Sequence, residues 1–290
     1  MSKKKSELNK YFNKIFVINL YNNTKKWDKV NKQFKSRNIK VERFVAVDGR
    51  CKNDGKQACI DKLNSFQIAY DVKINPKAKD QIGRKMSLKE ILPASSLTIG
   101  TLLLLRAQVK NKWKHMLICE DDIELTRNIE KKFKKGIKEL GKTKWDLLYL
   151  GCGYSCGDRG LSWDKDKKHP HESLVKEIED FEDDEMIYVS HPNDLRTICD
   201  DKRYCEPFSE NITRIKGGEH GGTWCYAWSL EGARKMVKEF EKKKNEVSIH
   251  IDQFINKTVK KKILKAYSFD PVIVHHEKIG KIRNTDIPWK

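Results

Sequence analysis

The sequence of 290 residues has little proline (7), moderate glycine (16) and only eight cysteines. This composition excludes a collagen-like or low-complexity chain, and the cysteines are too few for a small disulfide-stabilised scaffold. The longest apolar run, residues 97–105, contains Gly100 and ends at Arg106, so it is too short to span a bilayer. No apolar segment follows the basic N-terminus, which argues against a signal peptide. We therefore expect a cytoplasmic protein with mostly free thiols.

Several common phosphate and nucleophile motifs are also missing. The chain has no G-x-x-x-x-G-K-[ST] loop, no G-x-G-x-x-G after its first strand-like run, and no G-x-S-x-G sequence. Gly151-Cys152-Gly153 precedes a polar stretch rather than a helix, so it is not a dinucleotide fingerprint. These absences weigh against P-loop, dehydrogenase and hydrolase functions.

Basic residues, by contrast, are abundant. Lysine and arginine number 60 against 41 acidic residues, a formal net charge of +19. Such an excess is compatible with nucleic acid, an anionic membrane or a phosphate-bearing ligand. The lysines are scattered over the whole chain, however, which is typical of solvated helix faces. A basic nucleic-acid-binding protein stays open as an alternative that we do not favour.

Apolar patterns alternate between strand and helix along the chain, which favours an α/β fold. Residues 50–95 and 151–220 show weak periodicity, and we expect insertions or loops there. The expected strands are residues 15–20, 41–47, 116–119, 145–150, 222–228, 263–267 and 272–274; the expected helices begin near Thr24, Ser95 to Thr98, Ile129, Ser229 and Ile251.

Three carboxylates, Glu120-Asp121-Asp122, follow the apolar strand that ends at Cys119. Alternate residues of an extended segment point the same way, so Glu120 and Asp122 can face one hard cation such as Mg²⁺ or Mn²⁺. An acidic helix N-terminus is the alternative, because a helical pattern starts at Ile129. His275 and His276 follow another strand-like run and offer nitrogen ligands for the same site.

Several blocks in register resemble glycosyltransferase family 25, which contains bacterial lipooligosaccharide and procollagen galactosyltransferases. The diagnostic block is Leu117 to Ile123, with the acidic motif at its centre. The other blocks are residues 17–20, 43–49, 96–113, 145–151, 222–233, 251–254 and 286–287.

The resemblance implies a GT-A glycosyltransferase fold: a Rossmann-like mixed sheet flanked by helices, in a single domain over residues 1–290. It implies a metal-dependent hexosyltransferase that moves galactose or glucose from a UDP-sugar to a glycan or a collagen-type hydroxylysine. Mn²⁺ or Mg²⁺ would be bound at Glu120, Asp122, His275 and His276. Nucleotide-binding positions would be Val17, Asn19, Lys26, Asp48, Asp121, Gly222 and Thr223.

Family members of this kind invert the anomeric centre, which needs a base for the acceptor hydroxyl. Asp252 is the first candidate for this base and Glu219 the second, and an alternative for Asp252 is a helix N-terminal charge partner.

The sequence also departs from the family pattern. Residues 21–27 lack the arginines common there, with Lys26 in place of a phosphate-facing arginine, and Gly100-Thr101-Leu102 departs from the usual run. A catalytically degenerate GT-A binding module is therefore a further alternative. The lysine- and asparagine-rich composition suggests an AT-rich genome. A viral source, such as a giant virus, or a parasitic one would fit the missing secretion signal, and a viral protein would lie in the host cytoplasm.

Overall fold

The computed structural model describes residues 5–51, 55–79, 83–152, 205–217 and 222–276, and the backbone of 278–279 and 282–283. The helices in these parts are α1 (Glu7–Tyr11), α2 (Thr24–Ser36), α3 (Lys56–Tyr70), α4 (Leu88–Asn111), α5 (Ile129–Leu140), α6 (Leu230–Lys242) and α7 (Ile251–Lys260). The strands are β1 (Lys14–Asn19), β2 (Glu42–Val45), β3 (His115–Glu120), β4 (Ile123–Leu125), β5 (Leu147–Gly151), β6 (Cys205–Pro207), β7 (Ile212–Ile215), β8 (Cys225–Ser229), β9 (Ala266–Phe269), β10 (Val274–His276), β11 (Lys278–Ile279) and β12 (Ile282–Arg283).

An eight-stranded sheet forms the centre, in the order β2-β1-β3-β8-β5-β9-β7-β6. Strands β1, β2 and β3 run parallel, β8 lies antiparallel between β3 and β5, and β5 pairs parallel with β9. Strand β7 is also antiparallel to its neighbours β9 and β6, and the other six strands share one direction. This mostly parallel, mixed sheet confirms the expected α/β, GT-A-type architecture.

Side chains alternate between the two faces of this sheet, and each face carries its own core. On β3, Met116 and Ile118 pack with α3, α4, α6 and α7, whereas Leu117 and Cys119 pack with α1, α2 and α5. Strands buried on both faces read as continuous apolar runs, which is why these segments were recognisable from sequence.

Helix α4 begins at Leu88, earlier than the expected start between Ser95 and Thr98. Ser87 and Glu90 form a reciprocal capping box, in which each side chain bonds the other's backbone N–H. Pro93 lies inside this helix, in its second turn, where the missing N–H removes one intrahelical hydrogen bond. The weakly periodic segment 50–95 therefore contributes regular structure, including α3, to the core.

Helix α4 is also long and apolar enough to pass a length-and-composition test for a membrane span. Within the fold, 67% of its most apolar window is buried, as in the core helix of a globular protein. The described residues contain no other helix that passes this test.

The expectation of mostly free thiols is wrong for the described part of the chain. Cys51 and Cys59 form a disulfide, and Cys152 and Cys205 are disulfide-bonded as well. Cys119 and Cys225 are free and buried, with their Sγ atoms 2.9 Å apart on neighbouring strands. Proximity of this kind depends on the fold and is invisible in cysteine spacing.

Substitution by alanine at two helical glycines should have opposite effects on the stability of the protein. A Cβ at Gly232 in α6 would lie 2.1 Å from the carbonyl oxygen of Asp146, whereas one at Gly100 in α4 meets only Phe44, at 3.4 Å. We expect Gly232→Ala to destabilise the protein by about 1–3 kcal/mol because backbone must move. Gly100→Ala should be neutral or stabilise it by up to about 1 kcal/mol, through helix propensity. Thermal unfolding of both variants checks this, and equal shifts would contradict the close packing at Gly232.

Candidate active site

Several of the predicted functional residues lie at one edge of the sheet, where the parallel strands β1, β2 and β3 end. The amino end of the antiparallel β8 and the first turn of α7 reach the same edge. Ligand sites of open α/β sheets form at the carboxyl ends of the strands.

The acidic motif lies at the carboxyl end of β3, at this edge of the sheet. Asp122 is 5% exposed, and its Oδ1 atom is buried without a hydrogen-bond partner among the described residues. A buried, unsatisfied carboxylate oxygen is costly unless a cation compensates it. The motif is followed by the short strand β4 rather than by a helix, so the alternative of an acidic helix N-terminus does not describe it.

Lys26, in the first turn of α2, supplies part of the compensating charge. Its Nζ lies 3.4 Å from Asp122 Oδ2 and 3.8 Å from Asp121 Oδ1. The side chains of Lys26 and Asp121 are each 11% exposed, so solvent screens this pair less than an exposed ion pair. Lys26 thus faces the carboxylates rather than open solvent.

Asn19, at the end of β1, orients Asp121. Its Nδ2 donates to Asp121 Oδ2 and to the carbonyl of Asn23, and its Oδ1 accepts from Arg43 Nε at 2.8 Å. Arg43 also donates to the carbonyls of Leu20 and Tyr21. Arg43 was not among the predicted site residues, and only the adjacency of β1 and β2 reveals its role.

Of the two histidines, His276 is the one near the acidic motif. The two-stranded pairing of β10 with β4 sets His276 opposite Ile123 and His275 opposite Glu124. His276 Nε2 lies 3.6 Å from Asp122 Oδ2, and its ring contacts the Trp224 ring with centroids 5.2 Å apart. Neighbouring residues of a strand point to opposite sides, so His275 is turned the other way.

Glu120 occupies a different environment from Asp122. The Thr223 hydroxyl donates to its Oε1 at 3.4 Å. Burial raises the pKa of Glu120 well above its usual value, and the charges of Asp122, Asp121 and Asp252 raise it further. The carboxylates of this edge are therefore close enough to repel one another.

Asp252 is held at the start of α7, beside the loop that leads into β8. Its Oδ2 accepts from the Gly222 N–H at 3.2 Å and its Oδ1 from the Gln253 N–H at 2.7 Å. Gly222 has φ +74°, a conformation that favours glycine. The Asp252 charge acts on Glu120, as well as on Tyr149 and Tyr226, which places it at the same site.

Two tyrosines underlie the site and were missed in the sequence. Tyr149 on β5 and Tyr226 on β8 are cross-strand partners, and both are at most 1% exposed. The Tyr226 hydroxyl pairs with Thr101 Oγ1 at 3.0 Å, which brings α4 beneath the acidic motif. Burial raises the pKa of both phenols, so they stay neutral.

The other predicted nucleotide-binding residues are spread more widely. Asp48 lies at this edge, and the Arg50 guanidinium, which bonds both Asp48 and Asn22, lowers the pKa of Asp48. The Val17 side chain is fully buried in the core, so a nucleotide role for it stays a prediction. Glu219 lies outside the described residues.

The four predicted metal ligands do not converge as a set. Within the described ranges, no three His, Cys, Asp or Glu side chains form a group suited to a metal ion. Glu120 is engaged by Thr223, and His275 lies on the opposite side of β10 from His276. Asp122 and His276 are the pair that the fold brings together.

The mixed sheet, with the acidic motif at the end of β3 and with Lys26 of α2 and His276 of β10 beside that motif, is consistent with a GT-A-type glycosyltransferase fold. The family model "Glycosyltransferase family 25 (LPS biosynthesis protein)" matches residues 12–255, and the chain belongs to this family. The chain is also 23% identical over 147 residues to procollagen galactosyltransferase 2 of Mus musculus. That alignment covers 48% of this chain and 21% of the mouse protein.

Proposed function

We propose that this protein transfers a hexose, galactose or glucose, from a UDP-sugar to a hydroxyl group of a glycan or of a collagen-type hydroxylysine. Family membership and the name of the mouse relative support the reaction class. The buried Asp122 carries the proposal: one of its oxygens has no partner among residues 5–51, 55–79, 83–152, 205–217 and 222–276, and the other faces Lys26 and His276. Such a site suits a charged diphosphate and its cation. We further propose that residues 1–290 act as one GT-A-like domain.

Asp122 and His276 are the residues that would hold a divalent cation, Mn²⁺ or Mg²⁺. Asp122 offers oxygen and His276 offers nitrogen as metal ligands, and in the part of the chain that the structure describes no hydrogen-bond donor competes for the buried Asp122 Oδ1. Two protein ligands leave positions for diphosphate oxygens, as is common for ions that act with phosphate substrates. The cation would supply Lewis-acid neutralisation of the leaving diphosphate.

The protein's own groups divide the remaining tasks. Asn19 holds Asp121 in place, and Lys26 adds a positive charge within reach of the motif. Asp252, fixed by two backbone N–H groups, is our candidate to take the proton from the acceptor hydroxyl during inversion. The buried tyrosines form a neutral floor under these carboxylates.

Release of UDP from a panel of UDP-sugars, with and without Mn²⁺, tests the proposal. We expect slow, metal-dependent hydrolysis of one donor, which also names the sugar. If no donor of the panel yields UDP in the presence of collagen-type and glycan acceptors, that result would contradict transfer. Calorimetric UDP binding without turnover would then support a degenerate module, and salt-sensitive nucleic-acid binding would support the basic-protein alternative.

A further inference from the structure

The first turn of α2 contains two lysines, Lys25 and Lys26, and no acidic residue. Lysine is unfavourable at this end of a helix, because the backbone dipole is positive there. Lys25 is exposed, whereas only 11% of the Lys26 side chain is accessible. A partly buried ammonium in such a position needs nearby negative charge, and Asp121 and Asp122 provide it.

The described part of the edge contains more negative charge than Lys26 alone balances. Three carboxylates, those of Asp121, Asp122 and Asp252, lie close enough to a fourth, that of Glu120, to raise its pKa. Arg43, the next cation, donates to Asn19 and to backbone carbonyls. His276 contacts the same Asp122 Oδ2 atom that Lys26 approaches, from 3.6 Å.

Lys26 and a divalent cation would therefore need the same carboxylate. We propose that Lys26 is a resident counter-cation of the acidic motif, which competes with the divalent cation for Asp122 until the donor binds. This inference rests on the proposed function for the identity of the donor. The competition itself requires only the acidic motif and the metal ion.

The competition gives Lys26 two effects of opposite sign. Without nucleotide, its charge repels a cation that approaches Asp122, and so weakens metal binding. With a UDP-sugar present, the diphosphate adds negative charge beside Asp122, and the ammonium favours its binding. Lys26 thus makes tight binding of the metal depend on the donor, which limits occupation of the empty site.

Titration of the protein with Mn²⁺ in the absence of nucleotide, monitored through the electron paramagnetic resonance signal of free Mn²⁺, tests this inference. Lys26→Met keeps the length of the side chain and removes its charge, and we expect Mn²⁺ affinity to rise about tenfold. If Lys26→Met does not fold, Lys26→Gln should show the same rise in Mn²⁺ affinity. Lys26→Arg keeps the charge, so its affinity should stay close to that of the unmodified protein.

Lys25→Met is the matched control, since it removes the same charge from the neighbouring exposed residue. Its Mn²⁺ affinity should change less than twofold, because solvent and salt screen an exposed charge. A rise in Mn²⁺ affinity in Lys26→Met but not in Lys25→Met supports the inference. The affinity for UDP should fall in Lys26→Met. Unchanged or weaker Mn²⁺ binding by Lys26→Met and Lys26→Gln would overturn it. This result does not depend on transfer, so a protein without transferase activity still answers the question.

Discussion

Asp122→Asn should abolish Mn²⁺-dependent UDP binding and lower hexose transfer by at least about 100-fold, while the fold stays intact. The amide has nearly the same size, so the packing around this buried side chain is preserved. It lacks the charge that attracts a cation, and only one of its two polar atoms is an oxygen that can accept from Lys26 or His276, which lie 3.4 and 3.6 Å from the present Oδ2. UDP calorimetry with and without Mn²⁺ measures the effect.

Glu210→Gln is the control for this experiment. It removes the same charge from an exposed residue that pairs with Lys135 at 2.7 Å, far along the chain from the motif. Its UDP affinity should equal that of the unmodified protein, as expected for an exposed ion pair. If Asp122→Asn also binds UDP normally in the presence of Mn²⁺, the assignment of Asp122 to the cation fails.

Asp252→Asn should lower transfer by about 10²- to 10⁴-fold and leave UDP affinity within about twofold. An asparagine oxygen still accepts a hydrogen bond from Gln253 or Gly222, but it cannot take a proton from the acceptor hydroxyl. Single-turnover transfer and UDP titration separate these two effects. If Asp252→Asn loses donor binding as well as transfer, this would argue against a role of Asp252 that is limited to base catalysis.

The alternative for Asp252 is a charge partner for the N-terminus of α7, and it predicts a different result. Asp252→Asn would then lower the thermal midpoint while the surviving folded enzyme kept its rate. Glu231→Gln gives the scale of that effect, because Glu231 is an exposed acidic residue in the first turn of α6. A helix-dipole contribution of this kind is about 0.3–1 kcal/mol. A similar small shift for both variants, with no loss of rate in either, would assign Asp252 to the helix.

Local patterns predicted most of the elements correctly because their causes are local. The buried runs of β1, β3 and β5 are apolar on both faces, and Ser229 caps α6 by accepting from the Gly232 N–H. The start of α4 was placed too late, although Ser87 and Glu90 carry a capping-box pattern. The apolar periodicity is weak around this start, although the capping-box pattern that marks it is local in the sequence.

The sequence by itself determined the acidic motif, its place at the end of a buried strand, and the resemblance to the family. These are properties of neighbouring residues. Only the tertiary structure decided which partners the motif meets: Lys26 and Asn19 from about 100 residues earlier, and His276 rather than His275. It also showed which cysteines pair. Such contacts depend on strand order and register, because a shift of one residue would turn His275 instead of His276 toward Asp122.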